Sequence, residues 1–227
     1  MGRQRRFSDR GEAGERLAEV LVGRVQGPAT VLAIPRGGVL VAAVVADRLG
    51  APLDVVVPRK LGAPGNPELA VGAVADGVQA VDAEAVARLG IDPDALRAEV
   101  ARQTAEVARR TAAYRAGRPP LDLTGRTAVL VDDGVATGWT ALAAARRCRR
   151  AGAARVLLAV PVGPAGLGAR LGAAVDETVV LHTPEPYLAV GQGYLRFPQV
   201  GDAEVLRCLE EAARGVGQPG GGYNPGR

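Results

Sequence analysis

A doubly wound α/β fold, with a mainly parallel sheet and helices on both faces, is the class this 227-residue chain predicts. Three observations carry it. Apolar runs rich in Val, Leu and Ala recur at 29–35, 53–58, 127–131, 155–161 and 177–181, as buried parallel strands require. Most are separated by segments with helical spacing and capping residues. The segments that carry chemistry, at 36–38, 59–60 and 132–140, each follow such a run, at the edge where open α/β sheets bind ligands.

The elements follow in order. Ser8 and Asp9 cap a first helix to about Val25. A strand, Ala29 to Pro35, leads through Arg36-Gly37-Gly38 into an apolar helix that ends at Gly50, a suitable C′ residue. The strand Leu53 to Pro58 precedes a Pro- and Gly-bearing span, Arg59 to Glu68, expected to be an exposed, flexible loop. Leu69 to Ala75 and Val78 to Val81 form a hairpin around Asp76-Gly77. Asp92-Pro93 starts a long polar helix to about Gly117. After the strand at 127–131 come a helix over 141–151, a strand over 155–161, a Gly-rich segment with a short helix and a strand over 177–181. Residues 183–200 are irregular, and a last helix runs from Asp202 to Arg214. One domain over 1–214 is therefore expected, and the Gly/Pro-rich tail 215–227 is expected to be disordered.

Composition bounds the function. Apolar residues make up 48% of the chain and aromatics 3%, so Val, Leu and Ala must fill the core. The net charge of +4 and pI of about 9.6 suit anionic ligands without marking a nucleic-acid surface. No apolar stretch reaches the ~20 residues of a membrane span, and no apolar segment follows the basic start as a signal peptide requires. A soluble, cytoplasmic protein is expected. Cys148 and Cys208 match no metal spacing and read as reduced thiols. Of 28 basic residues only Lys60 is a lysine, which singles it out as a point charge able to reposition on a phosphate.

The most telling stretch is Thr127-Ala-Val-Leu-Val-Asp-Asp-Gly-Val-Ala-Thr-Gly-Trp-Thr140. A strand ends in two carboxylates, and a loop of small and hydroxyl residues then opens a helix. Backbone N–H groups and the helix dipole at Ala136, Thr137, Gly138, Trp139 and Thr140 suit a phosphate. Asp132 and Asp133 suit a ribose diol, or a hydrated Mg²⁺ held through water. A P-loop is excluded because no Gly-Lys-Ser/Thr occurs, and no Gly-x-Gly-x-x-Gly follows a predicted strand.

This stretch closely resembles the 5-phosphoribosyl-1-pyrophosphate (PRPP) motif of the type I phosphoribosyltransferases, a Rossmann-like fold with a small variable hood. The resemblance is tight at 127–140 and 34–38 and architectural over about 29–200. It implies transfer of ribose 5-phosphate from PRPP to a nitrogenous base, with Mg²⁺ as cofactor, pyrophosphate as product and a homodimer as the assembly. Asp132 and Asp133 are then catalytic, and 136–140 hold the 5-phosphate. Arg36, Gly37 and Gly38 take the pyrophosphate, with a non-proline cis bond expected at Arg36–Gly37. Lys60 and Arg59 neutralise the leaving group from a loop that closes over the reaction centre. Tyr187, Tyr194 and Phe197, three of only seven aromatics, fall in the hood and are candidates to stack on the base. His182, the sole histidine, reads as structural. Trp139 occupies the variable position of the phosphate loop, placed to cover that loop or meet a neighbouring subunit. The rival reading is a PRPP-sensing regulator of the same fold that binds nucleic acid without catalysis, through the first helix or the Arg-rich segment 146–150.

Overall fold

The computed structural model describes residues 6–215. The expected disordered tail lies outside them, apart from Gly215, which ends the last helix. In chain order the elements are α1 (Arg10–Leu21), β1 (Ala29–Ala33), α2 (Gly38–Leu49), β2 (Leu53–Val55), β3 (Arg59–Ala63), β4 (Asn66–Ala75), β5 (Val78–Val81), α3 (Ala83–Arg88), α4 (Pro93–Tyr114), β6 (Thr127–Val131), α5 (Trp139–Arg150), β7 (Arg155–Val162), α6 (Leu167–Leu171), β8 (Glu177–His182) and α7 (Asp202–Gly215).

The main sheet is wholly parallel, in the order β2-β1-β6-β7-β8. Strand order reverses between β1 and β6, so the topological switch point lies between their carboxyl ends. Alternation along the strands divides the core. Val31, Ala33, Val129, Val131, Leu157 and Ala159 face α1, α2 and α7. Leu32, Ala128, Leu130, Val156, Leu158 and Val160 face α5 and α6. Two buried faces explain why the strands read as continuous apolar runs.

Helix boundaries obey their caps. Asp9 accepts a hydrogen bond from the Glu12 amide at the start of α1, and Asp92 does the same for Ala95 at the start of α4. Gly50 closes α2 in the left-handed conformation. The first helix stops at Leu21, four residues short of expectation, and the short α3, capped by Asp82, is an element the sequence pattern does not announce.

The span 59–68 takes strand structure where a loop was expected. It forms β3 and the start of β4, an antiparallel hairpin with register shifts at Leu61/Gly62 and Gly62/Ala63. Leu61, Ala63, Val71 and Val74 are buried against Val107 of α4, so the apolar residues between the glycines and prolines hold a strand down. Gly62 is required there because a Cβ would stand 2.7 Å from Pro67 Cα.

Asp54 ties β2 to the end of α4. Arg115 donates to both of its carboxylate oxygens, at 2.9 and 3.0 Å, and Arg118 stands 3.4 Å away. The side chains of Asp54 and Arg115 are only 14% and 12% exposed. Asp54→Ala strands two guanidinium groups in this partly buried setting and should cost about 3 kcal/mol of stability, readable as a lower urea midpoint.

Candidate active site

The site grows from two adjacent strand ends. β1 and β6 run parallel in register, with Ala33 beside Val131, and the Ile34 amide donates to the Val131 carbonyl at 2.8 Å. The Arg36–Gly38 turn and the Asp132–Asp133 pair therefore leave the sheet side by side at the switch point. Their backbones are in contact. A Cβ on Gly37 would lie 1.8 Å from Asp133 Oδ2, and one on Gly38 would lie 2.8 Å from Asp132 Cα. Gly37 has an ordinary helical backbone, so space dictates glycine there, not conformation. The non-proline cis peptide of this turn is Pro35–Arg36, one bond earlier than expected.

The two carboxylates differ. Asp132 Oδ1 accepts the Asp133 amide at 2.8 Å. Burial, and then the neighbouring Asp133 charge, push the Asp132 carboxyl well above the usual carboxylate range. Asp133 Oδ2 instead accepts a 2.8 Å hydrogen bond from Arg10 Nε, an ion pair with side chains 8% and 14% exposed. Paired carboxylates of this kind fit a Mg²⁺ that arrives with phosphate oxygens and keeps its waters. Among the described residues no group of three or more His, Cys, Asp or Glu side chains could form a dedicated cage.

Beyond the pair, Ala136 and Thr137 are exposed and Gly138 turns left-handed, at φ 90, into α5 without a side-chain cap. The first amides of a 12-residue helix thus face the same edge of the sheet. Trp139, the first residue of α5, packs against the core beneath that helix.

Arg36 reaches 3.8 Å from Asp202 Oδ1 of α7, and the Tyr114 hydroxyl donates to the same oxygen at 2.6 Å. Arg59 and Lys60 point to opposite faces of β3. Arg59 Nε donates to Gln103 Oε1 of α4 at 3.1 Å, and its pKa is lowered by burial and by Arg110, with Arg102 and Arg36 contributing. Lys60 is exposed, opposite Ala73 in the ladder. The hydrogen bond of Arg59 thus goes to α4 and not to the acidic pair.

In the 183–200 segment the aromatics are engaged with the protein. The Tyr194 hydroxyl donates to the Asp133 carbonyl at 2.6 Å, and that of Tyr187 donates to the Val135 carbonyl at 2.6 Å. Burial raises both hydroxyl pKa values, that of Tyr187 to about 12, so both keep their protons. Tyr194 is 3% exposed, which makes its ring framework and corrects the expectation that it stacks on a ligand. Phe197 stacks on Tyr194 at 4.8 Å and carries the Arg10 guanidinium 3.9 Å from its centroid, yet remains 37% exposed. His182 ends β8, and its buried Nε2 has no hydrogen-bond partner among the described residues.

Residues 9–170 match the phosphoribosyl transferase domain. The chain belongs to that family. Two curated Mycobacterium tuberculosis proteins, from strains CDC 1551 / Oshkosh and ATCC 25618 / H37Rv, bear a provisional phosphoribosyl transferase name. Each is 47% identical over 215 residues, 94% of this chain and 48% of the relative. The chain thus spans about half the length of the curated relatives it matches. The crystal structure of TT1426 from Thermus thermophilus is 45% identical, covers 91% of this chain and 98% of its own, and superposes with a TM-score of 0.75.

In this phosphoribosyl transferase domain the arginines of 146–150 and of the first helix each have a partner within the protein. Arg146 and Arg150 donate to the Gln79 and Gly77 carbonyls of the β4–β5 hairpin, Arg147 pairs with Asp76, and Arg149 with Asp176. On α1, Arg10 is buried and Arg16 pairs with Glu12. No described helix is long and apolar enough to cross a membrane. Sequence reasoning missed Arg10, Tyr114 and Asp202. Only Arg10 carried a signal, because a cation in the first turn opposes the helix dipole and needs a compensating partner.

Proposed function

We propose that this domain is a phosphoribosyltransferase that transfers ribose 5-phosphate from PRPP to a nitrogen of a base. The observation that carries the reading is the contact of Gly37 and Gly38 with Asp133 and Asp132 at the switch point. It sets an anion-binding turn against a carboxylate pair, the two functions that the pyrophosphate and the ribose of PRPP need side by side.

The acceptor nitrogen attacks C1 of the ribose as the bond from C1 to the pyrophosphate oxygen breaks, and the electron pair leaves with pyrophosphate. Asp132 and Asp133 accept hydrogen bonds from the ribose hydroxyls and stabilise positive charge developing on the ring. The amides and hydroxyls of 136–140 hold the 5-phosphate. Arg36 and the amides of Gly37 and Gly38 hold the pyrophosphate, with Arg59 and Lys60 adding positive charge from β3. Asp132 and Asp133 would hold a Mg²⁺ through water, and when bound that ion would supply further neutralisation of pyrophosphate charge. Tyr187 and the exposed part of Phe197 border the side from which the base enters. Positioning contributes most of the rate, as expected where the protein does little covalent chemistry.

The test is pyrophosphate release from PRPP and Mg²⁺ against a panel of purine and pyrimidine bases. Release that depends on one base establishes the transferase and names its acceptor. Tight PRPP binding without release by any base of the panel contradicts the reading.

A further inference from the structure

Arg10 stands outside every motif, yet it is 7% exposed and its guanidinium makes three contacts. Nε donates to Asp133 Oδ2 at 2.8 Å, Nη1 donates to the Pro198 carbonyl at 2.8 Å, and the cation lies 3.9 Å from the Phe197 ring centroid. A Cβ on Gly37 would also meet Arg10 Nε, at 2.9 Å. One side chain thus touches the acidic pair and the 183–200 segment and lies directly beside the Arg36–Gly38 turn.

The surrounding backbone strengthens the link. Residues 7–10 are stitched to 193–198: the Phe7 amide donates to the Gly193 carbonyl, and the Leu195 and Arg196 amides donate to the Phe7 and Ser8 carbonyls. Arg196 pairs with Asp9 at 2.6 Å. Tyr194 meets the Asp133 carbonyl from the same segment. Neither the position of Arg10 in the first turn of α1 nor its burial favours a cation, so these contacts must outweigh both.

We propose that Arg10 is a positioning residue that couples the hood, residues 183–200, to the ribose-binding acidic pair. Asp133 is aimed at the ribose only while Arg10 is held between it and the packed hood. This rests on the transferase reading. By linkage, a ligand that fixes Asp133 also fixes the hood, and packing the hood raises affinity for that ligand. PRPP thereby prepares the surface that receives the acceptor. A lysine keeps the charge but not the planar fork that joins Asp133, Pro198 and Phe197.

The experiment uses the full chain and the variants Arg10→Lys, Arg10→Ala and Phe197→Leu. PRPP affinity with Mg²⁺ is measured by calorimetry, and amide hydrogen exchange of residues 190–199 is followed with and without PRPP. In the wild type, PRPP slows exchange across the hood. Arg10→Ala weakens PRPP binding about ten- to a hundredfold, the usual effect of losing a supporting partner, and PRPP no longer protects the hood. Arg10→Lys recovers PRPP affinity more than hood protection. Phe197→Leu, which leaves the acidic pair untouched, also weakens PRPP binding and keeps the test available should Arg10→Ala not fold. Wild-type PRPP affinity in Arg10→Ala, or in Phe197→Leu where Arg10→Ala does not fold, overturns the proposal, as does undiminished hood protection. If the wild type itself does not bind PRPP, the transferase reading fails before any substitution and the coupling falls with it.

Discussion

Asp132→Asn should severely weaken PRPP binding while raising the melting temperature, whereas Asp133→Asn should weaken binding and lower it. Adjacent carboxylates with opposite effects on stability follow from their surroundings. Asp132 is desolvated and repelled by Asp133, so its folded pKa lies above the ordinary 3.8. The folded protein then holds that proton more tightly than the unfolded chain does, and stability falls as pH climbs from about that ordinary value through the folded pKa. Above the folded pKa the destabilisation is complete, so the advantage of Asp132→Asn opens with rising pH and persists at neutrality. The substituted amide oxygen can still accept the Asp133 amide, so little packing is lost.

Asp133→Asn does the reverse. It removes the carboxylate that compensates the buried Arg10 and should cost about 3–5 kcal/mol. Both substitutions remove charge facing the developing oxocarbenium centre and should lower kcat/KM by roughly 10²–10³-fold. Thermal melts of both variants across the pH range check the signs, and equal shifts for the two would show that their environments do not differ.

Gly37→Ala is the second large effect. The added methyl would stand 1.8 Å from Asp133 Oδ2 and 2.9 Å from Arg10 Nε, with a Cβ on Gly38 2.8 Å from Asp132 Cα behind it. The added Cβ has no rotamer of its own, and the Asp133 carboxylate it meets is held by Arg10. Either the Arg36–Gly38 turn or Asp133 must move, separating the pyrophosphate side of the site from the ribose side. A cost of about 1–3 kcal/mol is expected from the overpacking, together with loss of pyrophosphate release. Because the backbone there suits any residue, a Gly37→Ala protein with normal turnover would show that the two loops are not so closely opposed.

Much of this was legible in the sequence because the strands of a doubly wound sheet are buried on both faces. Val129 and Leu130 face opposite sides of the sheet, yet both are fully buried, so the run has to be apolar throughout. Caps such as Asp92 and Gly50 act locally and were readable for that reason. The acidic pair and the Gly-Gly turn were likewise visible as motifs at strand ends. What escaped reading was long-range. Arg10 and Asp133 are 123 positions apart, and Tyr114 and Asp202 are 88 apart. Nothing local names the partner in either pair, although the first-turn cation at Arg10 signals that one is needed. The 59–68 hairpin was missed because Pro64, Gly65 and Pro67 outweighed Leu61 and Ala63, whose burial depends on α4 arriving from later in the chain. Tyr194 was read from its type alone, and a buried ring donating to a carbonyl looks the same in sequence as a ring on a binding face.

The most direct test is a calorimetric titration of PRPP with Mg²⁺ into the wild-type chain and into the Asp132→Asn/Asp133→Asn double variant. The predicted result is saturable binding to the wild type at one site per chain and none to a double variant that remains folded. Absence of binding to the wild type, or equal affinity in the two proteins, would contradict a PRPP site built on the acidic pair.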